Sequence, residues 1–240
     1  MRSARDPWVV ILGYHKIGIS PGEWESWYYV PQPTLERHVE LLVQSGWQPI
    51  APDLLLAGLQ DPGQLPQRSF LITFDDAYRS LRAQAVPWLV ANRIPAVVFV
   101  PTSYVGGLND FDRDVEPEEA ILDWEDLQAL RSDGVWIQSH GVSHRAFSEL
   151  TAAERVAELR CSKAAIERRV GGTVNLLSYP YGDPGVQGLP YAEELCQAGY
   201  DAACGYGGGP FPVPSSDRFL LPRIAVGPDT DLEAEIAPRR

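Results

Sequence analysis

Two short segments carry the residue types that could do chemistry. Thr73–Phe74–Asp75–Asp76 ends an apolar run with two adjacent carboxylates. Such a pair repels itself when both members are ionised. A cation relieves the repulsion and lets one carboxylate act as ligand while the other stays free as a base. The competing reading is an Asp pair that caps a following helix. Ser139–His140–Gly141–Val142–Ser143–His144 also follows an apolar run and holds two of the chain's four histidines. Four residues apart, they face the same way if the segment turns helically, so both imidazoles can reach one ion. With Asp76 they make two His and one carboxylate, a facial set that leaves positions open for water and substrate. Two weaker signals complete the candidates. Ser178–Tyr179–Pro180–Tyr181–Gly182 is a Pro/Gly turn that either simply ends a strand or aims a backbone N–H at a developing oxyanion. His15, after Gly13–Tyr14, is either a hydrogen-bonded core residue or a general acid for a leaving nitrogen. His38 sits beside Glu36, Arg37 and Glu40 and is expected at the surface.

The elements that must position these residues alternate. Strand-like runs are expected at Val9–Tyr14, Phe70–Phe74, Ala96–Val100, Val135–Ser139, Leu176–Tyr179, Ala202–Cys204 and Ile224–Val226. Several are apolar throughout, as in parallel strands covered on both faces. Between them lie helix signals. Thr34 precedes Leu35, Val39 and Leu42, with Gly46 as a stop; Asp123 opens a helix closed by Gly134; Thr151 and Glu154 make a capping-box pattern. A further helix is expected from about Tyr78 to Asn92, kinked at Pro87. About seven alternations point to an α/β barrel or a doubly wound sheet in a single domain. Long connections at Gly18–Pro33, Ser103–Glu119 and Gly205–Asp217 are of a length that is usually functional or mobile. The first holds Trp24 and Trp27, loop aromatics that either pack or offer their faces to a ligand.

Composition narrows the function classes. The chain has 240 residues, 45% of them hydrophobic, enough for one substantial core. A net charge of −12, with no basic cluster, argues against nucleic acid. No apolar run approaches the roughly 20 residues of a membrane span, and Met1–Pro7 does not read as a secretion signal, so the sequence as written is expected in the cytoplasm. A chain trimmed of a leader would read the same. Three cysteines at irregular spacing make neither a disulfide framework nor a metal site.

Taken together, Thr73–Phe74–Asp75–Asp76, the His140/His144 pair and Tyr179–Pro180–Tyr181–Gly182 resemble the polysaccharide deacetylases of carbohydrate esterase family four. The resemblance runs from about Val10 to Val226. Commoner members keep a catalytic His after these motifs, and none follows His144 here. Gly13–Tyr14–His15 at the start, Ile121–Leu122–Asp123–Trp124 and Leu221–Pro222–Arg223–Ile224 look like the circularly permuted branch, which deacetylates poly-N-acetylglucosamine and related exopolysaccharides. The resemblance implies a distorted (β/α)7 TIM-like barrel with its core at about residues 8–228. It implies a divalent metal on Asp76, His140 and His144, zinc foremost and cobalt, nickel or manganese as alternatives. It implies Asp75 as base, His15 as acid and the Tyr181 N–H as oxyanion donor. Tyr179, Tyr181 and Arg223 join Trp24 and Trp27 as candidates for substrate contact. The implied partners are an N-acetylated glycan and exopolysaccharide-biosynthesis machinery. A small N-acylated sugar, an O-acetyl ester or a non-catalytic glycan-binding role are the rivals. Two positions depart from the pattern. Ala77 replaces a usual Gly, which strains the backbone if φ is positive there. Ser178 replaces an Arg that orients the base, and Arg223 is the candidate to substitute for it.

Overall fold

The computed structural model describes residues 6–22, 24–185 and 191–237. In chain order the elements are β1 (Trp8–Tyr14), β2 (Lys16–Ile17), β3 (Tyr29–Val30), α1 (Gln32–Gln44), β4 (Gln48–Pro49) and α2 (Pro52–Gln60), then β5 (Arg68–Phe74), α3 (Ser80–Gln84), α4 (Val86–Ala91) and β6 (Ala96–Val100). They continue with α5 (Trp124–Ser132), β7 (Trp136–Ser139), α6 (Ala152–Arg169), β8 (Leu176–Ser178), α7 (Tyr191–Ala198), β9 (Ala202–Cys204), β10 (Phe211–Pro212), β11 (Ile224–Ala225) and α8 (Leu232–Ile236).

The seven expected apolar runs are β1, β5, β6, β7, β8, β9 and β11. They pair in parallel in the order β1-β5-β6-β7-β8-β9, and β11 pairs in parallel with β1. Leu221, just before β11, makes a parallel bridge to Cys204 of β9. The sheet therefore curls until its two ends nearly meet, which is the distorted seven-stranded barrel. Alternation along the strands supplies two cores. Val10, Leu12, Phe70, Ile72 and Val98 pack outward with helix residues such as Leu35, Leu89, Leu127 and Leu159. Val9, Ile11, Leu71, Val97 and Phe99 fill the opposite face with Leu55 and Leu56 of α2.

The capping boxes at Asp123 and Thr151 form as the sequence dictates, each side chain accepting from the N3 backbone N–H. Thr34 does not cap α1. The helix starts at Gln32 after the N-cap Pro31, Pro33 presets φ in its first turn, and Thr34 lies buried inside it. The expected Tyr78–Asn92 helix is two short helices broken at Ala85, because Pro87 has no N–H to continue the ladder. His38 is buried rather than exposed. It falls on the same face of α1 as Leu35 and Leu42, where its Nδ1 lies 3.0 Å from the Tyr14 hydroxyl.

Candidate active site

The chemistry-bearing residues lie at the C-terminal ends of the parallel strands, where every chain crossing turns over the barrel mouth. His15 follows β1, Asp75 and Asp76 follow β5, His140 follows β7, and Tyr181 follows β8. Four of the five non-glycine residues with positive φ in the described chain sit here: Asp76 (69°), Ala77 (58°), His144 (56°) and Tyr181 (58°). That concentration of left-handed backbone marks a site whose side chains are aimed against local preference.

Asp76, His140 and His144 converge. One ligand atom from each lies within 4.8 Å of the other two, and all three residues are buried. Asp76 Oδ1 is 3.0 Å from His144 Nε2 and 3.4 Å from His140 Nε2. Yet this oxygen is fully buried and makes no hydrogen bond, an arrangement that is costly unless a cation occupies the gap. His140 is already oriented for such a role. Its Nδ1 lies 2.7 Å from the Ser178 carbonyl oxygen, which can only accept, so Nδ1 carries the proton and Nε2 keeps its lone pair. The donor set, two imidazoles and one carboxylate, suits a divalent transition metal. No helical turn brings the histidines together. The segment is a loop with Gly141 at φ 78°, and Glu158 of α6 holds it by accepting from Val142 N, Ser143 N and the Ser143 hydroxyl. A Cβ on Gly141 would come within 2.8 Å of that carboxylate. Phe111 stacks on the far side of His144, with ring centroids 4.0 Å apart.

Asp75 is held differently. Arg223 grips it with two parallel bonds, Nη1 to Oδ1 at 2.8 Å and Nη2 to Oδ2 at 2.7 Å. The same guanidinium donates through Nη1 to Thr73 Oγ1, through Nη2 to Ser178 Oγ and through Nε to the Gly205 carbonyl. All five N–H groups are spent and the side chain is fully buried. Arg223, a candidate for substrate contact, therefore has no donor left to offer a ligand; what it holds is Asp75. Burial pushes the Asp75 carboxyl up, but the Arg223 charge and its hydrogen bonds outweigh it, and the carboxyl titrates below its usual range.

His15 lines the same cavity but stands apart from the three converging atoms, its Nε2 3.9 Å from Asp76 Oδ2. Tyr28 and Tyr206 flank its ring, and the Tyr206 hydroxyl is 3.4 Å from Nδ1. Burial holds the imidazole below its ordinary value against the pull of Asp76 and Asp75. The Tyr181 turn is tight. Gly182 has φ 69°, and a Cβ there would meet Tyr206 N at 2.5 Å. The turn's bonds are Gly182 N to Tyr179 O and Asp183 N to Pro180 O, neither of which uses the Tyr181 N–H.

The cavity around these groups measures about 150 Å³ and its wall includes Tyr28, Tyr78, Asp112, Glu116 and Tyr206, none of which motif reading singled out. Tyr28, Asp112, Glu116 and Tyr206 lie in the long loops, and Tyr78 stands two residues after Asp76. Trp24 and Trp27 do not line it; Trp27 is turned away and donates Nε1 to Asp229 Oδ1 at 2.7 Å. Tyr179 is fully buried, its hydroxyl bonded to the Phe219 carbonyl, so it is a core residue and not a substrate contact. A shallower groove shares His144 and Tyr181 with the cavity and continues past Tyr104 and Phe111 to Arg145 and Glu149. Burial and the neighbouring Asp76 charge push the Asp112 carboxyl up to about 6.

A family model described as polysaccharide deacetylase matches residues 63–203. The Bacillus subtilis protein YxkH, whose name places it among the polysaccharide deacetylases, is 25% identical over 184 residues, covering 77% of this chain and 60% of its own. A poly-β-1,6-N-acetyl-D-glucosamine N-deacetylase of Staphylococcus aureus is 25% identical over 179 residues, covering 70% of this chain and 57% of its own. The chain thus spans about three fifths of the length of these curated relatives. Among solved structures, the Streptococcus pyogenes deacetylase PplD in complex with acetate superposes with a TM-score of 0.82 at 18% identity, over 97% of this chain and all of its own. IcaB from Ammonifex degensii superposes with a TM-score of 0.78 at 21% identity, over 94% of each chain. These structural likenesses are likenesses of fold.

Proposed function

Because the chain belongs to the polysaccharide deacetylase family, we propose that it is a metal-dependent hydrolase that removes N-acetyl groups from N-acetylhexosamine units of a glycan. The observation that carries this reading is the convergence of Asp76, His140 and His144 on a buried, unsatisfied Oδ1, beside an Asp75 locked by Arg223. Asp76, His140 and His144 would hold a divalent ion, zinc by its affinity for nitrogen and oxygen donors. When bound, the ion supplies Lewis acidity to the acetamide carbonyl and makes a water acidic enough to be deprotonated near neutral pH.

The chain's own residues supply the rest. Asp75 takes a proton from the attacking water, and its fixed orientation avoids spending entropy at that moment. The Tyr181 N–H stabilises the oxyanion that develops on the carbonyl oxygen as the water adds to the carbon. His15 delivers a proton to the departing nitrogen, the C–N bond breaks, and acetate and a free amine leave. A cavity of about 150 Å³ accommodates the reacting acetamido group, while the rest of the sugar rests against the exposed rim at Tyr181 and Val115. The groove continuing past Tyr104 supports a polymeric substrate, as does the activity named for the S. aureus relative. An exopolysaccharide is the glycan we favour.

Among the described residues no helix is long and apolar enough to cross a membrane; residues 1–5, where a leader would be sought, lie outside them. The test is acetate release from N-acetylglucosamine oligomers of several lengths, with chelator and with zinc restored. Release that depends on zinc and rises with oligomer length is expected. Release unaffected by chelator, or none from any oligomer, would refute the proposal.

A further inference from the structure

Four carboxylates line the cavity: Asp75, Asp76, Asp112 and Glu116. Three of them have partners that explain their charge. Asp75 is saturated by Arg223. Asp76 faces His140 and His144. Glu116 accepts from the buried Lys16 ammonium at 2.7 Å and from the Ser26 hydroxyl at 2.5 Å, and Lys16 is further fixed over the rings of Tyr29 and Tyr78.

Asp112 is the exception. Its backbone carbonyl closes a turn by accepting from Val115 N at 3.0 Å and Glu116 N at 2.9 Å. That turn fixes the residue, half-buried, on the wall of the cavity that Asp76 also lines. Its carboxylate, however, enters no side-chain hydrogen bond or ion pair with the described residues. The one buried ammonium nearby, Lys16, is already committed to Glu116. A charge left unpaired in an acidic, partly dehydrated wall is unfavourable, and a cation that arrives with the ligand relieves the imbalance.

The proposed reaction makes one such cation. The N-acetylated substrate is neutral at the reacting substituent, whereas the sugar it leaves behind carries an amine that protonates. In so small a cavity that ammonium lies within hydrogen-bonding reach of the wall. We infer that Asp112 is the residue by which this site recognises a free amino group on a hexosamine, through a charge-assisted hydrogen bond from the ammonium. The inference rests on the deacetylase reading and adds a preference to it: the site retains glycan units that have already lost their acetyl group. Glycans bearing such units then compete with fully acetylated ones.

The experiment is calorimetric titration of the full, zinc-loaded chain with a glucosamine tetramer and, separately, an N-acetylglucosamine tetramer, at low and high salt, the acetylated tetramer being titrated in the slow His15→Ala background so that it is not turned over. Wild type should bind the amino tetramer in a salt-sensitive manner. Asp112→Asn, which keeps shape and hydrogen bonding but removes charge, should weaken that tetramer about tenfold, the weight of one hydrogen bond to a charged group. It should leave the acetylated tetramer within about twofold on the same reasoning. Asp112→Ala should match Asp112→Asn for the amino tetramer, and both variants should melt like wild type. Equal weakening of both tetramers would show a hydroxyl acceptor or a structural role and overturn the inference. So would unchanged affinity for the amino tetramer, or no binding of it. Acetate release measured in parallel separates the two readings. Acetate release without amine recognition sinks this inference alone, and amine recognition through Asp112 without acetate release sinks the deacetylase proposal.

Discussion

Replacing Arg223 by Met exposes what holds the base in place. Asp75 is 2% exposed, and both its oxygens take bonds from one guanidinium. Deleting the partner strands a buried carboxylate. Two hydrogen bonds to charged groups are worth about 1.5–3 kcal/mol each, and breaking buried pairs generally costs about 3–5 kcal/mol. Both routes give about 4 kcal/mol, a large share of the roughly 5–15 kcal/mol that holds a domain folded. In a chain of this size that is a fall of about 10 °C in Tm. The pH dependence has a definite sign. In wild type the folded Asp75 carboxyl titrates below its ordinary value, so its stabilisation is present above the unfolded pKa and is lost as pH falls through the folded one. In Arg223→Met burial is opposed only by the His140 and His15 charges, and the folded value should rise above the unfolded one. The variant's deficit should then shrink in acid, as the carboxyl accepts a proton. Urea denaturation of metal-stripped wild type, Arg223→Met and Arg223→Met/Asp75→Asn at about pH 7 and about pH 4.5 reads all of this. The double variant removes both charges and should recover more than half of the lost stability, while staying inactive. A single-variant cost below about 1 kcal/mol, the range of an exposed pair, would refute the reasoning. A double variant no more stable than the single would refute it as well.

Further outcomes follow from the same geometry. Zinc at about a hundred times its Kd should raise the Tm by roughly 5–10 °C, since ligation to the folded state alone contributes about 2.7 kcal/mol; His140→Ala should abolish the rise, and a rise that survives would move the metal elsewhere. His15→Ala should keep its zinc by metal analysis yet slow acetate release about 10²–10⁴-fold; full activity would remove His15 as the acid. Ala77 has φ 58° and is fully buried. Ala77→Gly should therefore relieve about 1–2 kcal/mol of left-handed strain, against about 0.5–1 kcal/mol of backbone entropy and about 0.8 kcal/mol for the lost methyl. Its net effect in thermal melts should lie within about 1 kcal/mol on those figures; a stabilisation of several kcal/mol would show that the strain is larger than the backbone accounts for.

Strand positions and candidate metal ligands were legible in the sequence because both are local statements. The apolar runs of three to six residues bounded by turn and helix signals read as strands, and polar residues just past such runs land at one end of a parallel barrel. Asp76, His140 and His144 could be gathered on paper for that reason. What joins them could not. The His140–His144 loop takes its shape from Glu158, which belongs to the next helix, and not from a helical period. His38 looked exposed because its chain neighbours are charged, but the phase of α1 against β1 turns it onto Tyr14. Arg223 reaches Asp75 across 148 residues, and only barrel closure next to β1 makes that contact. Trp24 and Trp27 suggested a sugar wall by type alone, whereas the fold turns Tyr28, Tyr206 and Asp112 to the cavity. Residue type sets what a side chain can do, and spacing sets which neighbours share its element. Which loop faces the cavity, and which charge goes unpaired there, depends on contacts between segments far apart in the chain, and those exist only once the barrel has closed.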